Sequence, residues 1–426
     1  MCGLNNNNLI GCDECGLVVS IPRLEAGTSY KCPRCNHSLV VVIKNPSQSI
    51  MAYTLACLMM LIISVSFPFM SFSVEGLTQQ ISLLSTISML NEFQHPFLAL
   101  ILFLTVILLP FIYISCVFML YAYASVVEPQ PAKRMKPYVR KICKAVFYIE
   151  PWLMADVFLI GVLVSLIKIS ALADIGMGYS FWAFCLYTIL VVKSVSLVNK
   201  QWIWHRLVKA EPKELVLSGH DHLSNNHVCC HVCGNINHFN ATKCTRCFHN
   251  LRPFSLKNSL HKAWALLCTA AIFYIPANLY PIMYTTSLGN ESPSTIMGGV
   301  VLLWKMGSYP IAAIIFIASV FIPLAKMLAL SWIYIIAQRT QGSTRTESLT
   351  RQRLYRATEF IGRWSMIDIF VVAILVALVQ LQDLMSISPG PASISFAIVV
   401  IFTMLSAMSF DSRALWSSNK KLDRGS

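Results

Sequence analysis

Cys32 and Cys35 recur as Cys244 and Cys247, 212 residues later, and Pro68 and Pro110 recur as Pro281 and Pro323 at an offset of 213. The segment Trp152-Leu153-Met154-Ala155-Asp156-Val157-Phe158 returns as Trp364-Ser365-Met366-Ile367-Asp368-Ile369-Phe370. An offset held that closely through cysteines, prolines and apolar stretches marks a duplicated module, and it removes most folds from consideration. Differences between the two copies are then the places to look for function.

The module belongs in a membrane. The chain is 56% hydrophobic and 12% charged, with mean hydropathy +0.62, which no ordinary soluble domain matches. Eight stretches approach the roughly 20 residues a helix needs to cross a bilayer. They cover about 50–72, 97–124, 152–171, 180–199, 263–284, 310–337, 364–382 and 392–410, with ends uncertain by a few residues. The expected architecture is an α-helical polytopic membrane protein of two four-helix repeats, each preceded by a small cytoplasmic zinc ribbon. Pro68, Pro110, Pro276, Pro281 and Pro323 fall in spans one, two, five and six and predict kinks or local unwinding.

Charge sets the orientation. Of 33 Lys and Arg, 29 lie before the first span, after the last, or in the loops on that same side. The opposite loops carry Glu75, Glu92, Asp174, Glu291 and Asp383 with Lys305 as their base. By the positive-inside rule both termini and both cysteine clusters are cytoplasmic. The net charge of +14 is explained by topology and anionic lipid, and nucleic acid is not an expected partner. The first 40 residues are largely polar and carry no signal-peptide pattern, so the first span is expected to direct insertion.

Eight of the 15 cysteines form four Cys-x-x-Cys pairs: Cys12/Cys15 with Cys32/Cys35, and Cys230/Cys233 with Cys244/Cys247. Two such pairs joined by short strand-forming segments read as a zinc ribbon, because a two-residue gap lets both sulfurs of a pair reach one tetrahedral ion. A closed four-sulfur Zn2+ site leaves no open position, so both metals are expected to be structural; iron would take the same ligands. Disulfides are disfavoured in the cytoplasm. A dithiol redox motif would need a βαβ setting that the pattern lacks. Cys229 adjoins Cys230, and either could pair with Cys233; the spacing favours Cys230. Cys57, Cys116, Cys185 and Cys268 fall within spans and read as small packing residues.

An ionisable residue inside a span is costly and faces an interior. Lys326 sits in span six and Asp368 a few residues into span seven, where the long lysine stem can reach it. Ser319, Ser365 and Thr403 fall at depths and helical phases that could join them. The first repeat keeps Asp156 but has Tyr113 for Lys326 and Leu153 for Ser365. A buried pair that only fixes helix register is the competing explanation. All ten histidines lie outside or at the rims of spans, which argues against a bis-histidine haem, and no Walker-type glycine loop is present. Residues 77–93 and their counterpart 294–304 could form an interfacial helix or a partner-docking surface; a loop with packed side chains is the favoured reading.

The two four-cysteine clusters join other motifs: Pro276-Ala277-Asn278-Leu279-Tyr280-Pro281, Ile317-Ala318-Ser319 with Pro323 and Lys326, Gly362-Arg363-Trp364-Ser365-Met366-Ile367-Asp368, and Phe410-Asp411-Ser412-Arg413. Together they resemble the paraquat-inducible protein A family, including its LetA-type inner-membrane members, over nearly the whole chain. The resemblance implies a bacterial inner-membrane component of a lipid-trafficking system that works with an oligomeric MCE-domain partner forming a periplasmic tunnel. It would make Lys326, Asp368, Ser365, Ser319 and Thr403 a polar network in the second unit. The divisions expected are a first ribbon over 1–45, a membrane unit over 46–210, a linker and second ribbon over 211–257, a second unit over 258–412, and a tail over 413–426.

Three functions are then in play. The leading one is a non-enzymatic subunit that loads or extracts phospholipid and hands it to the periplasmic partner. A scaffold that only localises that partner, and a membrane redox protein, are the alternatives.

Overall fold

The computed structural model describes residues 9–22, 25, 27–74, 77–92, 96–169, 174–208, 219, 227–251, 254–287, 290–305, 307, 309–339, 345–378, 380–381 and 385–416. In the first half, hairpins β1 (Leu9–Gly11)/β2 (Val18–Ser20) and β3 (Ser29–Lys31)/β4 (Ser38–Val41) form a ribbon. Helix α1 (Pro46–Ser66) leads from it to a hairpin of β5 (Met70–Val74) and β6 (Leu77–Ile81), then α2 (Leu83–Glu92). The chain returns through α3 (Pro96–Leu102), a π-helical stretch (Phe103–Leu108) and α4 (Leu109–Val126). Helix α5 (Pro137–Ile149) then precedes α6 (Ala155–Ile169), β7 (Asp174–Met177), α7 (Tyr179–Leu197) and α8 (Lys200–Leu207).

The second half repeats this order. It runs β8 (His227–Cys229), β9 (Ile236–His238), α9 (Leu256–Leu279), β10 (Met283–Ser287), β11 (Asn290–Ser294), α10 (Ile296–Lys305) and α11 (Tyr309–Phe316). A π-helical stretch (Ile317–Phe321) follows, then α12 (Ile322–Arg339), α13 (Arg345–Trp364), α14 (Ile367–Leu378), β12 (Gln380–Leu381), β13 (Met385–Pro389) and α15 (Pro391–Ser409).

Seven helical segments among the described residues are long and apolar enough to cross a membrane. Four are in the first half, counting α5 through α6 as one, and three in the second: α9, the π turn with α12, and α15. Helix α14, where an eighth span was expected, has 12 described residues, about 18 Å of rise.

Both π turns stand just before a proline, at Pro110 and Pro323. A proline ring collides with the carbonyl four residues back and offers it no N–H. Those carbonyls belong to Val106 and Ser319, inside the widened turns, and the wider turn relieves the collision. The Tyr274 hydroxyl donates to the Val320 carbonyl at 3.2 Å, partnering one loosened acceptor.

Two elements escaped the sequence reading. Helices α5 and α13 occupy what was read as basic loops. Their uncharged residues recur at helical spacing (Val139, Cys143 and Val146; Ser348, Gln352 and Tyr355), and those faces are buried. Of residues 77–93, favoured as a loop, Leu77–Ile81 instead form strand β6 and Leu83–Glu92 helix α2, and residue 93 lies outside the described residues. At the end of the molecule away from the ribbons, β6-β5-β7 and β11-β10-β13-β12 make two antiparallel sheets. In each, the strand after the last-but-one long helix pairs with the hairpin after the first, as Met283↔Pro389 and Ser287↔Met385 show.

Within the units, α1 packs on α4 and α7, and α9 on α15. Between them, α6 packs on its own repeat equivalent, α14. Phe158 and Phe370, which correspond under the 212-residue offset, meet edge to face with centroids 5.5 Å apart. A Cβ added at Gly161 would lie 3.0 Å from Phe370 Cβ, so a side chain there would push the two helices apart by a few tenths of an ångström. A residue touches its own equivalent only near a two-fold axis, so an approximate two-fold relates the repeats and passes between α6 and α14.

The caps are exchanged between units. Cys12, Cys15, Cys32 and Cys35 share one buried cluster with Leu330, Tyr334, Tyr355, Phe410 and Trp416 of the second half. Cys230, Cys233, Cys244 and Cys247 share theirs with Tyr121, Cys143, Ile203 and Trp204 of the first half. Each ribbon precedes one helical unit in sequence and packs on the other.

Candidate metal centres and the cavity between the units

All four Cys-x-x-Cys turns have one geometry. The amides of Gly16, Asn36, Gly234 and Phe248 donate to the carbonyls of Cys12, Cys32, Cys230 and Cys244 at 2.8–2.9 Å. These four donors all have positive φ, between 52° and 71°, which folds each knuckle back on itself. Phe248 alone lacks the usual glycine or asparagine, and Arg140 of α5 stacks 4.4 Å from its ring centroid. Within each cluster the four sulfurs lie within 4.8 Å of one another, the nearest pairs at 3.5–3.6 Å. Zinc–sulfur bonds of about 2.3 Å place tetrahedral ligands about 3.8 Å apart, whereas a disulfide needs about 2.05 Å. The donor set and its spacing fit a divalent metal, and the thiols are not bridged. Cys230, not Cys229, supplies the sulfur; Cys229 packs on Gly11 of the other ribbon.

The first ribbon is pinned to the second unit through α13. Glu14, between two cysteine ligands, accepts from Arg356 Nε at 2.7 Å and Gln352 Nε2 at 3.2 Å, and pairs with His37 at 3.1 Å. Burial raises the Glu14 carboxyl, but His37 and Arg356 outweigh it and hold the group below its ordinary value. Arg34 stacks on Trp416, 4.9 Å from the ring centroid, and donates to its carbonyl at 3.2 Å. At the second ribbon, Lys200 donates to the His231 carbonyl and Arg413 bonds His231 Nε2 at 2.8 Å.

Of the expected polar network, Lys326, Thr403, Ser319 and Ser365 are all buried, Lys326 being 4% exposed. Lys326 Nζ donates to Thr403 Oγ1 at 3.1 Å, and Thr403 donates on to the Val400 carbonyl at 2.9 Å. Ser365 Oγ has no hydrogen-bond partner among the described residues. The Asp368 side chain lies outside the described residues, so its pairing with Lys326 stays a proposal. The ammonium tucks against α13: a Cβ added at Gly362 would lie 2.6 Å from Nζ and 2.8 Å from Cε.

Lys326 opens on a cavity of about 630 Å³ between the two units on the ribbon side. Its first-unit wall carries Glu150, Asp156 and Thr188, and its second-unit wall carries Lys326, Glu359 and Arg363. Glu359 is held above its ordinary value by burial and then by Glu14, against the pull of Arg363 and Lys326. The sequence reading missed Glu150, Glu359 and Arg363. Their signal was there: each stands where the other repeat has an uncharged residue (Gly362, Phe147 and Pro151 respectively).

A helical membrane protein duplicated about a two-fold axis, with two four-thiol caps and a charged cavity between its repeats, is the class these features define. The chain belongs to the paraquat-inducible protein A family, whose model matches residues 47–208 and 260–420, once per repeat. It is 38% identical over 406 residues to intermembrane transport protein PqiA of Escherichia coli strain K12, covering 95% of this chain and 94% of that one. It is 26% identical to a probable intermembrane transport protein of Haemophilus influenzae, covering 96% and 95%. It is also 26% identical to lipophilic envelope-spanning tunnel protein A of E. coli strain K12, covering 96% and 91%. No solved structure matches the chain.

Proposed function

We propose that this chain is the inner-membrane subunit of a lipid transport system, moving phospholipid between that membrane and an MCE-domain tunnel in the periplasm. The observation that carries the reading is the cavity of about 630 Å³ between the repeats, with Lys326 on its wall. Relatives along nearly the full length are named for intermembrane transport and for an envelope-spanning tunnel, which agrees with it. Among the described residues no carboxylate pairs with Lys326; a deeply buried lysine is expensive, and an anionic phosphate is a partner that would offset the cost.

In this reading all eight helices cross, α14 included. The β10–β13 pairing supports it by joining the far end of α14 to the far end of α9. Both ribbons face the cytoplasm, and two Zn2+ ions, each held by four thiolates, act as folding staples with no catalytic part. Lys326, Thr403, Ser319, Ser365 and Asp368 form the polar network, Lys326 changing partner as the units separate and close. The sheets on the opposite face are where an oligomeric MCE-domain partner would dock.

The test is photo-crosslinking in cells with a phospholipid carrying a diazirine on its acyl chain, followed by mass spectrometry of the purified chain. Crosslinked phospholipid that maps to the helices lining the cavity, and falls in Lys326→Gln at equal protein level, is expected. No lipid adduct in either protein, with the periplasmic partner still co-isolated, would replace transport by scaffolding.

A further inference from the structure

The charges around the cavity have an uneven history. Under the repeat offsets Lys326 corresponds to Tyr113, Arg363 to Pro151, Glu359 to Phe147, and Gly362 to Glu150. At each of these pairs one repeat is charged and the other is not. Two copies of one wall have therefore diverged into a wall rich in cations and a wall of carboxylates facing each other. Asp156 adds a further carboxylate on the first-unit side.

Other cations at the rim already have partners: Lys200 pairs with Asp13 at 2.9 Å, and Arg356 pairs with Glu14. No ion pair among the described residues engages Lys326, Arg363, Glu150 or Asp156. Thr403 takes one of the three protons of the Lys326 ammonium, and no other hydrogen bond from it is seen among the described residues. Arg363 adds a guanidinium fork suited to phosphate oxygens. Carboxylates opposite them complement a positive group a few bonds from that phosphate. Glu359, on the cationic side, is drawn to both Arg363 and Lys326, and that wall still carries two cations to its one described carboxylate.

Building on the lipid reading, we infer that the cavity receives a zwitterionic phosphoethanolamine headgroup, its phosphate between Lys326 and Arg363 and its ammonium against Glu150 and Asp156. Each charged end of the headgroup then meets the unit that diverged towards the opposite sign, and the head bridges the two repeats at their axis.

The experiment uses the full chain reconstituted in vesicles of equal ethanolamine and glycerol phospholipid, re-extracted, with retained lipid counted by native mass spectrometry. The wild-type chain is expected to retain the ethanolamine class over the glycerol class by about fivefold or more. Glu150→Gln with Asp156→Asn brings that ratio to about one with lipid still bound, because the phosphate contacts remain. Lys326→Gln with Arg363→Gln loses both classes together. A wild-type ratio of one, or a carboxamide variant that keeps the preference, overturns the inference. If either variant fails gel filtration, the wild-type ratio decides alone. Wild-type protein that retains no phospholipid of either class sinks the lipid reading itself, whereas equal retention sinks only the headgroup assignment.

Discussion

Gly362 shows how much one missing methyl group decides. It lies two residues before the end of α13, where alanine would favour the helix by up to about 1 kcal/mol. The alanine methyl, however, would strike the Lys326 head, 2.6 Å from Nζ. Because that head is the far end of a flexible stem, the lysine yields rather than the backbone, and the overpacking penalty stays at the low end of about 1–3 kcal/mol. The two terms nearly cancel, so Gly362→Ala is expected to melt within a few degrees of wild type yet lose complementation, with Lys326 driven off Thr403. Combining it with Lys326→Gln should be no worse than Lys326→Gln alone, since the shorter amide leaves room for the methyl. Paired melting curves and an envelope-stress growth assay check this; a large stability loss for the single variant would show that the backbone moved instead. Lys326, Ser319, Ser365 and Thr403 were legible in the sequence, because a charge or hydroxyl stands out in an apolar run. Gly362 and Glu150 were not: one is defined by the space it leaves, the other sits in a loop-like segment that only the fold brings to the cavity.

Among the elements, the two ribbons could be read from eight cysteines, but their placement could not. Local spacing fixes a metal knuckle, while docking depends on contacts between residues hundreds of positions apart, such as Glu14 with Arg356 and Arg34 with Trp416. The exchange has a consequence opposite to the one chain order suggests. Loss of a metal ligand should loosen the unit distant in sequence, since a structural metal contributes folding free energy only to what packs on it. Cys12→Ser is expected to cut bound metal from two ions per chain to about one, and to raise hydrogen exchange in α13 and the inner end of α15, leaving α5 protected. Cys230→Ser should show the reverse pattern. Elemental analysis and exchange mass spectrometry on the purified full chain measure both; loosening of the adjacent unit in each variant would refute the exchange. The helices α5 and α13 hid for a related reason. Their many basic residues mark a cytoplasmic loop by charge, and the buried stripe that makes them helices is spaced too sparsely to stand out against that charge.

Over the whole molecule, duplication has left a two-fold frame filled with unequal chemistry. The frame is preserved where backbone geometry is demanding: both π turns, both prolines, and the Phe158–Phe370 contact on the axis. At the cavity the copies have diverged in charge, and a symmetric site could not distinguish the two ends of a polar head. Such a frame also fixes which side each part must face. An odd number of crossings per unit would put the second ribbon on the side opposite the first, and the shared cap contacts, Gly11 against Cys229 and Lys200 reaching both Asp13 and His231, forbid that. Those contacts give an even count for the first unit, and the second ends at Trp416, which Arg34 of the first ribbon holds, so the same count there supports the proposed crossing of α14 with its 12 described residues. The basic loops support the proposed placement of the ribbon side in the cytoplasm. Ser29 on the first ribbon and Ser292 on the far hairpin are both exposed and make suitable reporters. Ser292→Cys is expected to react with an impermeant maleimide once the outer membrane is opened, and Ser29→Cys only after the inner membrane is breached. Equal labelling of the two at the first step would break the even count and, with it, the placement of the cavity at the cytoplasmic end of the bilayer, where a headgroup from the inner leaflet can enter.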